Sequence, residues 1–198
     1  MRLRLLSRFR SKEITVPGCA LYLRNPLRSD YEQWVNLRSE SREFLTKWEP
    51  RWPADDLTPL GFQRRLRSYS QQKQTGTGHT FFLFSNDDDA LLGGLSLTRI
   101  LYGVSRSATL GYWMGVHHAG RGYMTKAVPA ILSHAFNELK LKRVEAACLP
   151  TNYRSIHLLA NCGFKREGFA REYLEINGVR EDHILFGCLG NSAPGNAV

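Results

Sequence analysis

A glycine-rich segment near the middle of the chain has the residue types that bind phosphate groups. Residues 115–125 read Gly-Val-His-His-Ala-Gly-Arg-Gly-Tyr-Met-Thr, between an apolar strand pattern at 108–114 and a helical pattern at 123–139. Glycines let the backbone approach a ligand closely, and the first N–H groups of a helix have no partners within it. These N–H groups and the helix dipole favour an anion. The segment predicts a diphosphate-binding turn, although glycines also occur in such turns only to form a tight corner.

A second pair of polar residues follows later in the chain. Asn152 and Ser155 stand at the start of a short helical pattern that ends at Gly163. An asparagine side chain offers both a donor and an acceptor, so it can bind an amide or an amine. Asn and Ser are also common at helix N-termini. From the spacing alone, a binding role and a helix cap explain the pair equally well.

The elements that must position these residues alternate irregularly between strands and helices. Strand patterns occur at residues 19–24, 79–84, 91–100, 108–114, 143–149, 164–176 and 181–189, and helix patterns at residues 30–45, 58–75, 123–139 and 152–162. Asn177-Gly178 predicts a β-hairpin between the last two strands. This order predicts a mixed-sheet α/β (α+β) fold with an antiparallel first half, which differs from the regular alternation of a Rossmann sheet.

The composition is that of a folded, basic protein. Of its 198 residues, 42% are hydrophobic and 11% aromatic, which is enough for one packed domain. No run approaches the roughly 20 apolar residues that cross a bilayer. The four scattered cysteines lack the spacing of a metal site or a disulfide framework, so we expect no metal and a reducing compartment. The net charge of +9 favours polyanionic surroundings.

The order of these elements and motifs resembles the GNAT N-acetyltransferase family. The similarity begins with Leu110-Gly-Tyr-Trp-Met-Gly115, followed by the glycine segment. It continues in order through Asn152-x-x-Ser155, Leu158-Leu159, Asn161-Cys162-Gly163-Phe164, Glu167-Gly168, Asn177-Gly178 and Asp182-His183. With Phe44-Leu45 and Trp48-Glu49-Pro50, the set is similar to the RimJ/RimL group, which acetylates the N-terminal alanine of a small-subunit ribosomal protein. The resemblance covers about residues 21–189.

The resemblance implies a GNAT acyl-CoA N-acyltransferase fold of about seven strands and four helices, splayed between strands 4 and 5. Acetyl-CoA, the acetyl donor, would lie across the splay, with its diphosphate on backbone N–H groups and on Arg121. The implied cofactor-binding residues are Met114, Gly115, Val116, Ala119, Gly120, Arg121, Gly122, Tyr123, Met124, Thr125, Asn152 and Ser155. Many family members have Gln or Arg at the position of Ala119, so we expect backbone groups to supply most of the binding here.

The resemblance also implies direct attack of an amine on the acetyl thioester. The tyrosine with which many members protonate the leaving thiolate is replaced by Leu159, so we expect Ser155 or solvent to supply that proton. A backbone N–H between Met114 and Val116 would stabilise the oxyanion.

A base for the acceptor amine is less evident in the sequence. Asn152, Ser155 and Glu175 are the candidate catalytic residues, and Glu172 and Glu49 are further candidates for a weak base. Taken singly, each glutamate is better explained as a surface side chain. At pH 7 an α-amine with a pKa of about 8 is on the order of one tenth neutral, whereas a lysine at about 10.4 is almost fully protonated. A chain without a strong base therefore suits N-terminal amines better than lysines.

The expected function is transfer of an acetyl group from acetyl-CoA to the N-terminal α-amine of a ribosomal protein, with alanine as the expected residue. We expect a cytoplasmic enzyme with no membrane partner. Two alternatives stay open: acetylation of small-molecule amines, and a ribosome-associated assembly factor that retains the fold.

The expected division of the chain is a basic arm at residues 1–17, the GNAT domain at 18–189 and a flexible tail at 190–198. A transit peptide explains the arm less economically. Electrostatic contact with ribosomal RNA is a further expectation. It rests on Arg2, Arg4, Arg8 and Arg10 in the arm and on the cluster Arg64-Arg65-x-Arg67.

Overall fold

The strands of the chain form one mixed sheet in a computed structural model that describes residues 14–190. They are β1 (Ile14–Val16), β2 (Leu21–Arg24), β3 (His79–Ser85), β4 (Leu91–Leu101), β5 (Ser107–Met114), β6 (Arg143–Cys148), β7 (Lys165–Ile176) and β8 (Val179–Leu189). Their order in the sheet is β1-β2-β3-β4-β5-β6-β8-β7. All neighbours are antiparallel except β5 and β6, which run parallel.

The helices are α1 (Tyr31–Glu40), α2 (Arg42–Leu45), α3 (Pro59–Gln74), α4 (Tyr123–Ser133) and α5 (Tyr153–Asn161). The predicted start of α3 is confirmed, because Thr58 Oγ1 accepts the Gly61 N–H at 3.1 Å and Pro59 takes the first helical position. α4 contains Pro129 and continues into a π-helical segment at His134–Glu138. A proline has no backbone N–H, so the Thr125 carbonyl lacks its usual helical donor.

Apolar residues pack against both faces of the sheet. In β3, Phe81 and Leu83 belong to the larger core cluster with α4, whereas Phe82 and Phe84 belong to a second cluster with Trp34 of α1 and Phe62 of α3. Successive strand residues point to opposite faces, so each cluster covers one face. This explains why β3 reads as a continuous apolar run in the sequence.

The sheet opens between its two parallel strands. β5 and β6 pair only over Ser107–Thr109 and residues 143–145. Beyond these pairs β5 continues to Met114 and β6 to Cys148, but the two strands no longer pair with each other. The predicted splay is therefore confirmed, and it leaves backbone polar groups of β5 free to pair with a ligand.

The structure corrects the predicted element counts and one boundary. Residues 14–190 contain eight strands and five α-helices, where the sequence predicted about seven and four. β1 lies in the segment assigned to the basic arm and pairs with β2, with Val16 only 1% exposed. A strand of three residues is too short for a recognisable alternation. The predicted helix over 30–45 is divided at the buried Ser41.

The predicted hairpin at the end of the chain is confirmed. Asn177 and Gly178 have φ of 47° and 88°, as a tight β7–β8 turn requires. Among the described residues, no helix combines the length and the hydrophobicity needed to cross a bilayer. Residues 1–13 of the predicted arm and 191–198 of the predicted tail lie outside the described range.

Candidate active site

A cavity of about 880 Å³ lies at the splay, a volume suited to a cofactor-sized ligand. Its lining comes from the end of β5, the glycine segment with the start of α4, most of α5, and residues 44–49. The predicted site residues that line it are Met114, Ala119, Gly120, Gly122, Tyr123, Met124, Thr125, Asn152 and Ser155. Gly115, Val116, Arg121 and Glu175 are not in the lining.

The glycine segment presents unpaired backbone donors to this cavity. Gly120 and Gly122 both have φ of +78°, a left-handed conformation that glycine adopts without strain, and Gly122 immediately precedes α4. Among the described residues, no carbonyl outside α4 accepts an N–H from residues 120–125; the Lys126 N–H donates to Gly122 O at 3.2 Å. Both glycines lie where an added Cβ would meet nothing within 4 Å. The turn fits a diphosphate group.

The end of β5 supplies one further free N–H. Gly115 N donates to Leu92 O at 2.9 Å, so Gly115 and Leu92 form a hydrogen-bonded pair of the β4–β5 ladder. Met114, opposite Gly93, is then in a non-hydrogen-bonded pair. Its N–H therefore points away from β4 and into the splay.

Gly115 and Val116, both predicted to bind the cofactor, have structural roles instead. The Val116 N–H donates to Ser41 Oγ at 2.9 Å, and the Gly115 N–H is used in the ladder. A Cβ on Gly115 would lie 2.3 Å from Leu37 Cδ1, so this glycine allows α1 to pack closely. Of the predicted oxyanion donors from Met114 to Val116, Met114 is the one whose N–H faces the cavity.

Asn152 and Ser155 form the helix cap that their spacing allows, and their position at the cavity is compatible with the predicted binding role. Asn152 Oδ1 accepts the Ser155 N–H at 3.1 Å and caps α5. Both residues also line the cavity. The cap uses the Asn152 oxygen and the Ser155 backbone, so the Asn152 amide nitrogen and the Ser155 hydroxyl are still available to a ligand.

Tyr112 is a site residue that the sequence analysis missed. Its hydroxyl oxygen lies 2.5 Å from Ser155 Oγ, and both side chains line the cavity. Burial raises the pKa of Tyr112 well above its usual value, and the hydrogen bond to Ser155 offsets this only in part. The phenol is therefore protonated at neutral pH. When Tyr112 donates to Ser155 Oγ, the serine proton is free to point into the cavity.

The opposite side of the cavity is built on an ion pair. Glu49 lines the cavity, and its two carboxylate oxygens accept from Arg38 at 2.9 and 2.8 Å. Trp52 Nε1 also donates to Glu49, at 2.8 Å. The Arg38 guanidinium, 5% exposed as a residue, lies 4.1 Å from the ring centre of Trp52 and 5.0 Å from that of Trp113. This charge-assisted bidentate pair fixes the orientation of Glu49.

The remaining candidate bases lie on the β7–β8 hairpin. Glu175 is exposed and pairs with Arg180 across the hairpin. Glu172 is also exposed, with φ of 46°, and its N–H donates to Asp182 Oδ1 at 2.8 Å. The turn of the hairpin contacts the cavity wall where the Asn177 N–H donates to Glu49 O at 3.0 Å. Of the three glutamates, Glu49 is therefore the one that reaches the cavity.

Two charged groups flank the glycine turn. Arg121 is exposed and has its side chain outside the lining. His118 lines the cavity, and its pKa is lowered by burial and by the nearby Arg121 and His117. Burial first, and the neighbouring positive side chains second, favour the neutral form of the His118 imidazole.

The splayed sheet, the glycine turn and the free strand-end N–H together form a site that fits a ligand with a diphosphate group. Residues 20–165 match the family model of the acetyltransferase (GNAT) domain. The chain belongs to the GNAT acetyltransferase family.

Named relatives agree with this assignment. The chain is 36% identical to a probable N-acetyltransferase, YjcK, of Bacillus subtilis over 172 residues, covering 87% of this chain and 95% of that protein. It is 32% identical to the [ribosomal protein uS5]-alanine N-acetyltransferase of Escherichia coli, covering 79% and 81%. The structure of Mycobacterium smegmatis RimJ in complex with CoA-disulfide superposes with a TM-score of 0.85 at 28% identity, covering 92% and 88%.

Proposed function

We propose that the protein transfers the acetyl group of acetyl-CoA to the N-terminal α-amine of a ribosomal protein, with alanine as the preferred first residue. The observation that carries the proposal is the combination, in one cavity, of the free N–H groups of residues 120–125, the Met114 N–H and the Ser155 hydroxyl. The preference for alanine rests on the similarity to the uS5-alanine N-acetyltransferase.

The donor binds mainly to the backbone. The N–H groups of residues 120–125 hold the diphosphate, and the positive end of α4 adds to the attraction. Asn152 binds an amide of the pantetheine arm through its free amide nitrogen. Ala119 contributes no polar side chain, so the backbone supplies most of the affinity.

In the reaction, the neutral amine attacks the thioester carbonyl and the C–N bond forms. The Met114 N–H donates to the carbonyl oxygen as negative charge develops on it. The C–S bond then breaks, and Ser155 gives its hydroxyl proton to the leaving thiolate. The nitrogen of the tetrahedral intermediate loses its extra proton to water, and water in the cavity returns a proton to Ser155. Tyr112 stays protonated throughout and stabilises the serine oxygen by donating to it.

The acceptor enters at the wall that contains Glu49. Because Arg38 and Trp52 fix both carboxylate oxygens, Glu49 acts here as an oriented acceptor, and its remaining lone pairs accept a hydrogen bond from the acceptor ammonium. The α-amine then loses its proton to water, which is feasible because its pKa is only about 8. Glu175 and Glu172 are exposed and stay secondary candidates for orienting that water.

We place this activity in the cytoplasm, at or near ribosomes. The net charge of +9 suits a protein that works beside ribosomal RNA. Contact with ribosomal RNA is part of the proposal and is separate from the chemistry of the cavity.

A set of four acceptors tests the proposed function. The acceptors are a peptide that begins with alanine and contains an internal lysine, the same peptide with a formylated N-terminus, a serine-initiated version, and spermidine. We expect the free alanine peptide to give the highest kcat/KM and the formylated peptide to give no turnover. Turnover of spermidine without turnover of either free peptide would contradict the proposal and favour a small-molecule acetyltransferase. Ser155→Ala serves as the control for uncatalysed transfer.

A further inference from the structure

An exposed cluster of cations and apolar side chains lies at the end of the sheet remote from the cavity. We call this surface the basic tip. It consists of Arg99, Leu101, Tyr102, Val104, Arg106, Lys140 and Lys142, all of which are exposed. The sequence analysis did not select it, because its members come from two separate segments.

The register of the sheet brings the two segments together. Leu101 pairs with Ser107 at the turn between β4 and β5, and Ser107 pairs with Arg143 at the start of β6. The Lys142 N–H donates to Arg106 O at 2.7 Å, so the two cationic residues are adjacent. Since β5 runs from Ser107 at this end to Met114 at the cavity, the basic tip lies at the opposite end of the sheet from the active site.

The four cations of the tip are not neutralised. Within residues 14–190, no carboxylate forms an ion pair with Arg99, Arg106, Lys140 or Lys142. Glu138 is the one acidic residue in segments 99–106 and 138–143. The adjacent Arg143, by contrast, is bound by both Glu145 and Glu167.

The arginine cluster that the sequence analysis selected behaves differently. Arg64 pairs with Asp55 at 2.5 Å, and Arg65 pairs with Asp56. Arg67 is the one member of the cluster without an ion pair in the described range. Among the described residues, this cluster on α3 therefore retains one cation without an ion pair, whereas the basic tip has four.

Three of the four cations also have an unusual backbone conformation. Arg99, Arg106 and Lys140 have φ of 49°, 44° and 55°. This left-handed region favours Gly, Asn and Asp, and a long cationic side chain has no intrinsic preference for it. The turn geometry therefore does not call for a cation at these positions, although Arg99 also donates to Thr109 Oγ1 at 3.1 Å.

The apolar members of the tip narrow the class of partner. Leu101, Tyr102 and Val104 are 56%, 55% and 107% exposed, next to the cations. Cations beside an exposed aromatic ring are the combination that binds single-stranded nucleic acid, since the cations follow the phosphates and a base stacks on the ring. Two aliphatic side chains and one tyrosine among four cations provide little surface for insertion into a membrane.

We propose that the basic tip binds single-stranded RNA, with Tyr102 as a stacking platform. The interaction goes beyond the proposed acetylation, because the tip and the active site lie at opposite ends of the sheet. An acetyltransferase that holds ribosomal RNA at the tip keeps its cavity free for a nearby protein N-terminus.

The test compares two double charge reversals in the full chain. One is Arg106→Glu/Lys142→Glu in the tip, and its matched control is Arg64→Glu/Arg67→Glu on α3, which changes the net charge equally. The probe is a fluorescein-labelled, mixed-sequence 20-nucleotide RNA followed by anisotropy over a range of salt concentrations. We expect the tip variant to weaken binding at least about 10-fold and to reduce the salt dependence by about 1.4 in slope, for two lost phosphate contacts. We expect less than about a threefold loss in the control.

A third variant separates stacking from charge. Tyr102→Ala is expected to weaken binding at least about fivefold, and Tyr102→Phe to retain it. All variants should acetylate the free alanine peptide at the wild-type rate. This rate shows that the variants are folded, and it separates a failure of RNA binding from a failure of the proposed enzyme activity.

Several outcomes would overturn the proposal. Equal losses in the tip and α3 variants would mean that only overall charge matters. Unchanged affinity in the tip variant would place any RNA contact elsewhere. No effect of Tyr102→Ala would remove the stacking platform. Co-sedimentation with phosphatidylserine vesicles but no RNA binding would identify the tip as a membrane contact.

Discussion

The two walls of the active-site cavity are built from different parts of the polypeptide. The donor wall, formed by the end of β5 and the glycine turn, presents backbone N–H groups from residues 114 and 120–125. The acceptor wall, formed by residues 44–49, depends on side chains, chiefly Glu49 and the Arg38 and Trp52 side chains that bind it. One wall requires a backbone shape, whereas the other requires particular side chains in contact.

The fold itself therefore provides the donor wall, whereas we expect the side chains of the acceptor wall to select the acceptor. Backbone donors are present whatever the neighbouring side chains are, so the donor wall suits a donor shared by many enzymes. The acceptor wall can change its charge and shape by substitution without disturbing the glycine turn. Substitutions in the two walls should therefore change different kinetic parameters.

Ser155→Ala should have the largest effect. Loss of the proton donor to the thiolate is expected to lower kcat by about 100-fold or more. The KM for acetyl-CoA should change little, because the α5 cap uses the Ser155 backbone and not its hydroxyl. Steady-state kinetics with the alanine peptide and a thiol-release assay measure both. A kcat within a factor of about three of wild type would show that solvent alone protonates the thiolate.

Arg38→Met should disturb the acceptor wall and the stability of the protein. It leaves the Glu49 carboxylate without its buried partner, and we expect the free energy of unfolding to fall by about 3 kcal/mol. The KM for the peptide should rise while that for acetyl-CoA stays near wild type. Urea unfolding and two-substrate kinetics check these outcomes. The double variant Arg38→Met/Glu49→Gln should recover part of the stability but not the peptide KM.

Gly122→Val should affect only the donor wall. A β-branched residue is strained at φ of +78°, at a cost of about 1–2 kcal/mol, so the turn distorts and the KM for acetyl-CoA rises about 10-fold. Gly18→Val is the matched control, since Gly18 has φ of +70°, no atom within 4 Å of its added Cβ, and lies outside the cavity. Equal effects of both variants on the acetyl-CoA KM would contradict a specific role for the turn.

Tyr112→Phe should have the smallest effect on the reaction. Removing one hydrogen bond to Ser155, worth about 1 kcal/mol, should lower kcat about fivefold. The same variant tests the raised pKa of Tyr112. The folded protein keeps the Tyr112 phenol protonated to a higher pH than the unfolded chain does. The stability that depends on the protonated phenol is therefore present below pH about 10 and is lost as the pH rises further.

Urea unfolding at pH 9 and pH 11 measures this contribution. The free energy of unfolding should fall more steeply in the wild type than in Tyr112→Phe. Tyr102→Phe, a substitution of an exposed tyrosine, is the control. Identical slopes for wild type and Tyr112→Phe would contradict the raised pKa.

Local patterns in the sequence predicted the donor wall well. The glycine turn and the Asn152 cap involve residues close in the chain, so spacing alone indicates them, and the Asn177-Gly178 hairpin follows from the same kind of signal. The resemblance to the GNAT family predicted the splay. β1 was missed because three residues show no alternation.

Contacts between distant residues could not be predicted in this way. Tyr112 and Ser155 are 43 positions apart, and only the folded sheet shows that their hydroxyls meet. The Arg38–Glu49 pair likewise fixes the position of Glu49. The sequence shows only a glutamate in a proline-rich segment and does not indicate its partner. The expectation for Arg64 and Arg65 ignored Asp55 and Asp56, which pair with them across the start of α3.

The most direct measurement is to locate the acetyl group on a natural acceptor. Purified protein is incubated with isotopically labelled acetyl-CoA and a mixture of unmodified small-subunit ribosomal proteins, and tandem mass spectrometry identifies each labelled amine. We expect label on the N-terminal α-amine of an alanine-initiated ribosomal protein, and its loss with Ser155→Ala. Label spread over lysine side chains, or no label on any ribosomal protein while spermidine is acetylated, would contradict N-terminal protein acetylation.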